Sequence, residues 1–249
     1  MADLAGRRAL LVGGSSGLGL AAARAMRAAG ATVTIAGRNP DRATEAARAL
    51  DCHVVTGDAA DPEQSARMVA EAASAMGGLD TLWSSAGGDP MPRLQRDTPL
   101  AEVMGDLTGT LAPVILPARA AFDHMAATGG GSLILVASDA GKIPTPGETA
   151  IGAAMAAIIQ FARGLAVEGK RAGIRANTLT PSIVRGTPLY DRLMGDAFAG
   201  KLFAKAESMA SLGVAEPQDL ADLAVFLAGP GARRITGQAI SVTGGISAL

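Results

Sequence analysis

The segment Gly13-Gly14-Ser15-Ser16-Gly17-Leu18-Gly19 stands between a short apolar run, Ala9 to Val12, and an alanine-rich stretch that reads as a helix. A chain that passes from strand to helix in so little backbone needs glycine, whose missing Cβ opens conformations and close approaches that other residues block. A helix starting directly after such a turn aims unpaired N–H groups and the positive end of its dipole at whatever lies in front, which favours a phosphate. In this context Gly13 lets the chain turn, Gly17 lets backbone approach a pyrophosphate, and Gly19 lets the helix pack on the sheet. Ser15, Ser16 and Leu18 complete the loop. The plain alternative is a tight turn without a ligand.

The same alternation continues along the chain. Further apolar, β-branched runs, Thr32 to Ala36, His53 to Thr56, Thr81 to Ser84, Ser132 to Ala137, Ile174 to Thr180 and Ala239 to Val242, are separated by helical stretches. Strands alternating with helices join as a parallel sheet, here of about seven strands. Their nearly continuous apolar character suits a sheet covered on both faces, and no Pro/Gly-rich linker divides the pattern. The expectation is an α/β fold: one Rossmann-type domain over residues 1–249, with a doubly wound parallel sheet and helices on both faces.

Asn39-Pro40-Asp41 and Asp61-Pro62-Glu63 mark helix starts, each a capping residue followed by a proline whose missing N–H costs nothing there. Gly30, Gly77-Gly78, Gly173 and Gly229-Pro230 mark stops. The small residues Gly152, Ala153, Ala154, Ala156 and Ala157 allow close backbone packing, in the core or between subunits. Segment 181–211 is the least regular part of the second half and is expected to form a flexible flap over a substrate.

Composition excludes several classes of function. Of 249 residues 49% are hydrophobic and 18% charged, which is a compact folder rather than a disordered chain. The 22 Lys+Arg and 23 Asp+Glu leave a formal charge of −1, with no electrostatic footprint for nucleic acid. One cysteine, Cys52, excludes an internal disulfide and a Cys-x-x-Cys pair, and two histidines, His53 and His124, are too few for the usual metal clusters. No metal is expected, and a reducing cytoplasm fits this cysteine usage. The start lacks the basic-then-apolar order of a signal peptide, and the longest apolar helix candidate, Ala150 to Val167, is interrupted by Gln160 and Arg163. A soluble cytoplasmic protein with no membrane contact is therefore expected.

At the end of the second strand a dinucleotide fold places an acid for NAD or a base for NADP. This chain places Gly37-Arg38-Asn39 there. With no carboxylate to repel a 2′-phosphate and a guanidinium to meet it, NADP(H) is favoured over NAD(H). Asp58, after the third strand, either accepts a hydrogen bond from the adenine amino group or caps the next turn.

The Gly-x-x-x-Gly-x-Gly spacing resembles the short-chain dehydrogenase/reductase family, and the similarity spans the chain. It is carried by Gly57-Asp58-Ala59-Ala60-Asp61, Ser84-Ser85-Ala86-Gly87-Gly88, Leu107-Thr108-Gly109-Thr110, Gly131 to Gly141, Gly173-Ile174-Arg175-Ala176-Asn177, Pro181 to Pro188 and Val242-Thr243-Gly244-Gly245. The resemblance implies cofactor contacts at Asp58, Ala59, Ala86, Gly87, Val184 and Thr187, beside Gly13, Ser15, Ser16, Gly17, Leu18, Gly19 and Arg38. It also implies hydride transfer between a nicotinamide and a carbonyl or alcohol, with a Ser, a Tyr and a Lys four residues after the Tyr as the reacting set.

That set is broken here. Ser138 matches the family serine, but the tyrosine position reads Ile151, the lysine position Met155, and the helix asparagine of the proton relay Asp106. The single tyrosine, Tyr190, lies in the expected flap, so no nearby tyrosine replaces the missing one. In relatives the lysine also holds the nicotinamide ribose, so Met155 implies looser binding at that end.

The polar candidates left around the reacting end are Ser138, Ser85, Asp106, Asp139, Lys142 and Glu148, with Ser138 the best single choice. A serine donates a hydrogen bond to a substrate oxygen but is too weak an acid to be the final proton source. The leading expectation is therefore an NADP(H)-dependent reductase of a small apolar carbonyl compound, with a substrate-assisted mechanism. The alternatives are an inactive subunit paired with an active homologue, and a non-redox isomerase, cyclase or lyase. Family members associate through the two long helices after the fourth and fifth strands, which implies a homo-oligomer, dimer or tetramer, or a hetero-oligomer with an active homologue.

Overall fold

Adjacent residues of a strand face opposite sides of a sheet, and in this chain both sides are apolar. Leu10, Leu82 and Leu133 enter one buried cluster, while their neighbours Leu11, Trp83 and Ile134 enter another. The strands are therefore covered from both faces, as their unbroken apolar runs require. The computed structural model describes residues 3–87 and 91–248, so Gly88 lies outside the described residues.

The chain runs β1 (Arg8–Val12), α1 (Gly17–Ala28), β2 (Thr32–Gly37), α2 (Pro40–Leu50), β3 (His53–Thr56), α3 (Pro62–Met76), β4 (Thr81–Ser84), α4 (Leu100–Ala127) and β5 (Gly131–Val136). It continues with α5 (Thr149–Gly169), β6 (Ile174–Pro181), α6 (Pro188–Gly195), α7 (Ala199–Met209), α8 (Pro217–Ala228) and β7 (Ala239–Val242). The strands form one parallel sheet in the order β3-β2-β1-β4-β5-β6-β7. The chain starts in the middle, winds out to β3, returns to β4 beside β1 and winds out the other way. That reversal opens a crevice at the carboxyl ends of β1 and β4, where such folds place ligands.

The capping signals act as the sequence predicts. Asn39 accepts a hydrogen bond from the Arg42 N–H and Asp61 from the Gln64 N–H, each with a proline opening the helix. Gly77 ends α3 at φ +71°.

Two expectations need correction. Segment 181–211 is not irregular: α6 and α7 occupy most of it and bury Ile183, Leu193, Ala199 and Phe203 in a small cluster of their own. Helix α5 with the turn after it, residues 149–172, is long and apolar enough in composition to cross a bilayer in spite of Gln160 and Arg163. It nevertheless buries Ile158, Ile159, Ala162, Leu165 and Ala166 in the cluster shared with β1, β4 and β5, while Gln160 and Arg163 are exposed on its other side.

Candidate functional site

The crevice holds a cavity of about 440 Å³. One end is walled by Gly13, Ser15, Ser16, Gly17 and Leu18 of the glycine turn, by Arg38 after β2, and by Asp58 and Ala59 after β3. The other end is walled by Ser138 after β5, by Ile151 and Met155 of α5, and by Val184 and Thr187 after β6; Ala86 and Gly87 after β4 lie on the same wall. Residues far apart in sequence thus meet because every strand ends on the same edge. Of the site residues predicted from sequence, Gly19, Asp106, Asp139 and Lys142 are not on this wall.

At the first end, Gly13 adopts φ +82°, and a Cβ there would stand 2.9 Å from the Ala86 backbone nitrogen. Its glycine is demanded both by the turn and by the closeness of the loop after β4. Gly19 serves otherwise than expected. A Cβ at this position would stand 2.2 Å from the Gly13 carbonyl oxygen, so the residue seats α1 on the turn itself rather than on the sheet. Gly17, at φ +51°, lines the cavity, and a Cβ there would meet Pro188 Cδ only at 3.8 Å. Ser16 begins α1 without a side-chain cap, so the first N–H groups of the helix remain available at the cavity. Asp58 caps its own turn, accepting from the Ala60 N–H at 2.9 Å.

Arg38 is exposed and lines the cavity. Sequence reading missed a second guanidinium on the same wall: Arg42, which donates from Nε to Ser15 Oγ at 3.4 Å. Its signal was its place in the first turn of the helix that follows Arg38.

At the second end, Ser138 Oγ accepts from the Ala140 N–H at 3.2 Å, and its hydroxyl hydrogen is left for another partner. Ser85, also on the wall, accepts from Trp83 Nε1 at 2.8 Å. Glu148, Ile151, Met155 and Ile158 line the cavity along one stripe of α5. Burial pushes the Glu148 carboxyl up to about 7; a Thr145 hydrogen bond opposes that rise and the Asp139 carboxylate adds to it. Glu148 stood in the sequence only as one of several polar residues, because nothing local signals its burial.

Three other candidates turn away. Asp106 lies 3.8 Å from Arg93, whose guanidinium holds Glu102 at 2.6 Å, and this pairing keeps its carboxylate off the cavity wall. Lys142 is nearly buried and donates to Ser241 Oγ at 2.5 Å, with Asp139 3.9 Å from its ammonium. Asp139 itself is buried and does not line the cavity. The expectation about tyrosine also changes: folding of the 181–211 segment into helices brings Tyr190 onto the cavity wall, where its hydroxyl donates to Glu207 at 3.0 Å.

Comparison with known proteins agrees with this architecture. A family model described as Enoyl-(Acyl carrier protein) reductase matches residues 12–247. The oxidoreductase asL5 of Sarocladium schorii is 30% identical over 99% of this chain and 98% of its own length. A glucose 1-dehydrogenase of Gluconobacter oxydans is 31% identical over 98% of this chain and 92% of its own length. Among solved structures, a short-chain type dehydrogenase/reductase from Mycobacterium ulcerans superposes with a TM-score of 0.91 at 26% identity, covering 98% of this chain and 90% of that one. With a matching family model over nearly its whole length, full-length relatives and the seven-stranded parallel sheet, this chain belongs to the short-chain dehydrogenase/reductase family and is an oxidoreductase of that family.

Proposed function

We propose that the chain is an NADP(H)-dependent reductase of small, largely apolar carbonyl compounds, working without the tyrosine and lysine that the family pattern leads one to expect. The observation that carries this reading is the cavity itself: one continuous space runs from the open helix end and two guanidiniums to Ser138 and an apolar floor.

The residues present fit the dinucleotide. The uncapped first turn of α1 and the cavity that Gly17 lines suit a pyrophosphate. Arg38 and Arg42 suit a 2′-phosphate, with no carboxylate at positions 38 and 39 directly after β2 to oppose it. When bound, the nicotinamide supplies a hydride. Ser138 donates a hydrogen bond to the substrate oxygen and orients the carbonyl. Ile151 and Met155, at the positions where the resemblance to the family implies tyrosine and lysine, make the floor apolar and exclude water. Holding two reactants in register contributes roughly 7–11 kcal/mol to a barrier, so such a site retains catalytic power after losing one proton donor, typically a loss of about 10²–10⁴ in rate.

Segment 181–211, which carries Val184, Thr187 and Tyr190, acts in this reading as a movable flap. Assembly into a homo-oligomer through the outer faces of α4 and α5 follows the family habit, and the exposed stripe Ala153, Ala156, Gln160 and Arg163 suits close helix packing.

Titration of NADPH and NADH into the purified chain, followed by the fluorescence of Trp83, tests the reading. This indole is fully buried and hydrogen-bonded to Ser85 of the cavity wall, so it senses events there. NADPH is expected to bind more tightly than NADH. Arg38→Ala and Arg42→Ala should each weaken NADPH about tenfold or more while changing NADH little, in line with about 1.5–3 kcal/mol for a hydrogen bond to a charged group. Equal affinity for both cofactors in wild type would remove the guanidinium pair from the assignment. Anaerobic incubation with NADPH and a panel of ketones and quinones then reads turnover at the nicotinamide absorbance band.

A further inference from the structure

Carbonyl reduction needs a proton as well as a hydride, and the cavity wall limits where it can come from. The ionisable side chains lining it, among the described residues, are Arg38, Arg42, Asp58, Glu148 and Tyr190. Arginine does not give up its proton near neutrality. Asp58 accepts from the N–H of its own turn and stands with the glycine loop and Arg38. The Tyr190 hydroxyl already donates to Glu207, which also takes Arg185 at 3.0 Å. That leaves Glu148.

Its placement is specific. Glu148 opens α5 but does not use its carboxyl to cap that helix. It shares a cavity-facing stripe with Ile151, three residues on, and Met155, seven on. The start of α5 rests on the turn that follows Ser138, since a Cβ on Gly152 would stand 2.7 Å from the Ala140 carbonyl oxygen and one on Gly141 2.7 Å from the Met155 backbone. Helix packing therefore seats the start of α5 on the turn after Ser138, and Glu148 and Ser138 line the same cavity. We propose that Glu148 is the proton donor of this site, one helical turn before the position where the family pattern has its tyrosine. The proposal rests on the reading of the chain as an NADP(H)-dependent reductase and names the acid which that reading lacks.

The step balances simply. The carbonyl carbon gains a hydride and its two electrons, so the substrate is reduced and the nicotinamide oxidised. The carboxyl O–H breaks, its proton joins the carbonyl oxygen, and an alcohol leaves. The carboxylate then takes a proton from water. Ser138 holds the oxygen throughout but gives up no proton.

Electrostatics supports a carboxyl that is protonated at neutral pH, because burial pushes it up to about 7. Charged groups next to it include Asp139 and Lys142 from the turn before α5 and Arg93 from the loop before α4, whose backbone N–H donates to the Gly147 carbonyl and whose guanidinium lies 3.8 Å from Asp106 of α4. Asp139 raises the carboxyl further. Lys142 is engaged with Ser241 and Asp139, and Arg93 with Glu102 and Asp106. A group raised in this way is a proton donor below about 7 and is spent above it, so reduction should slow as pH rises through neutrality.

The test uses the full-length chain, with Glu148→Gln and Glu148→Asp as variants. In wild type, the carboxyl ¹³C signals of labelled glutamate should include one titrating near neutrality that is missing in Glu148→Gln. NADPH affinity, read from Trp83, should agree within about twofold between wild type and Glu148→Gln. Steady-state reduction of a set of cyclic ketones should fall about tenfold per pH unit above neutrality in wild type. Glu148→Gln should lose about 10²–10⁴ in kcat and its dependence on pH, and Glu148→Asp should recover part of both. An ordinary carboxylate titration at Glu148 overturns the proposal, as does a Glu148→Gln enzyme with unchanged kcat and profile. It is also overturned if Tyr190→Phe, rather than Glu148→Gln, removes the alkaline fall. If wild type binds no NADPH, the underlying reading fails instead, whatever the carboxyl titration shows.

Discussion

At Gly19 a single methyl group would decide whether the nucleotide turn keeps its shape. The added Cβ would stand 2.2 Å from the Gly13 carbonyl oxygen and 3.1 Å from the Gly14 Cα, all backbone, so no flexible side chain can yield to it. Gly19→Ala should therefore destabilise the fold by about 1–3 kcal/mol, the usual cost of overpacking. It should also weaken NADPH binding, because the backbone that must move is the cavity wall. Urea unfolding and the Trp83 titration read the two effects separately. The sequence made the need for glycine plain at this spot, but not its reason, because which backbone a helix start rests on depends on the path of the turn. Glu148 is the opposite case. Its residue type was visible, yet its function depends on burial and on sharing a stripe with Ile151 and Met155, and neither can be known before α5 is docked.

Among the elements, strands were the most legible, since a strand buried on both faces must be apolar throughout and helices between strands leave only the parallel solution. The one residue missed at the start of β1 is instructive. Arg8 reads as a polar leader, yet it lies in the strand because Asp80, just before β4, receives its Nε at 2.6 Å, its Nη2 at 3.0 Å and its backbone N–H at 2.9 Å. Burial alone would raise the Asp80 carboxyl, but the Arg8 hydrogen bonds and charge outweigh it and hold the group below its ordinary 3.8. A depressed carboxylate adds stability above its unfolded-state value and loses it as pH falls through the folded one. Asp80→Asn should thus cost about 2 kcal/mol at pH 7, in the range for a charged hydrogen bond in a partly buried pair. The gap from wild type should close below pH 3.8; urea titrations at the two pH values measure it. The helices of 181–211 were less legible. Thr187-Pro188 carries the same cap-and-proline signal as Asn39-Pro40, and Thr187 does accept from the Tyr190 N–H. The apolar pattern behind it is sparse, however, because α6 and α7 bury only one side against each other rather than against the sheet.

In the whole molecule, the sheet carries one large apolar cluster on each face, while α6 and α7 rest on a third, much smaller one. Only part of this was readable in advance. The alternation of elements implied a winding that gathers loops at one sheet edge, whereas the volume enclosed there depends on how α6 and α7 lie across it. The small cluster is centred on Ile183, Leu193, Ala199 and Phe203, and the Arg185, Tyr190 and Glu207 side chains tie the two helices together. A unit with so little apolar burial opens at a lower free energy than the sheet does. Amide hydrogen exchange in residues 188–209 should therefore proceed by local opening, well before β1, β4 and β5 exchange. Thr187, Pro188 and Tyr190 line the proposed cofactor cavity, so NADPH should bind only while the unit is closed. At 100 times its dissociation constant, such a ligand raises the opening free energy by about 2.7 kcal/mol and slows exchange roughly 100-fold. The protection should be confined to α6, α7 and the glycine turn, and NADH at the same concentration should protect less. Exchange of α6 and α7 only by global unfolding, at the same rate as β1, would show a rigid wall in place of a flap.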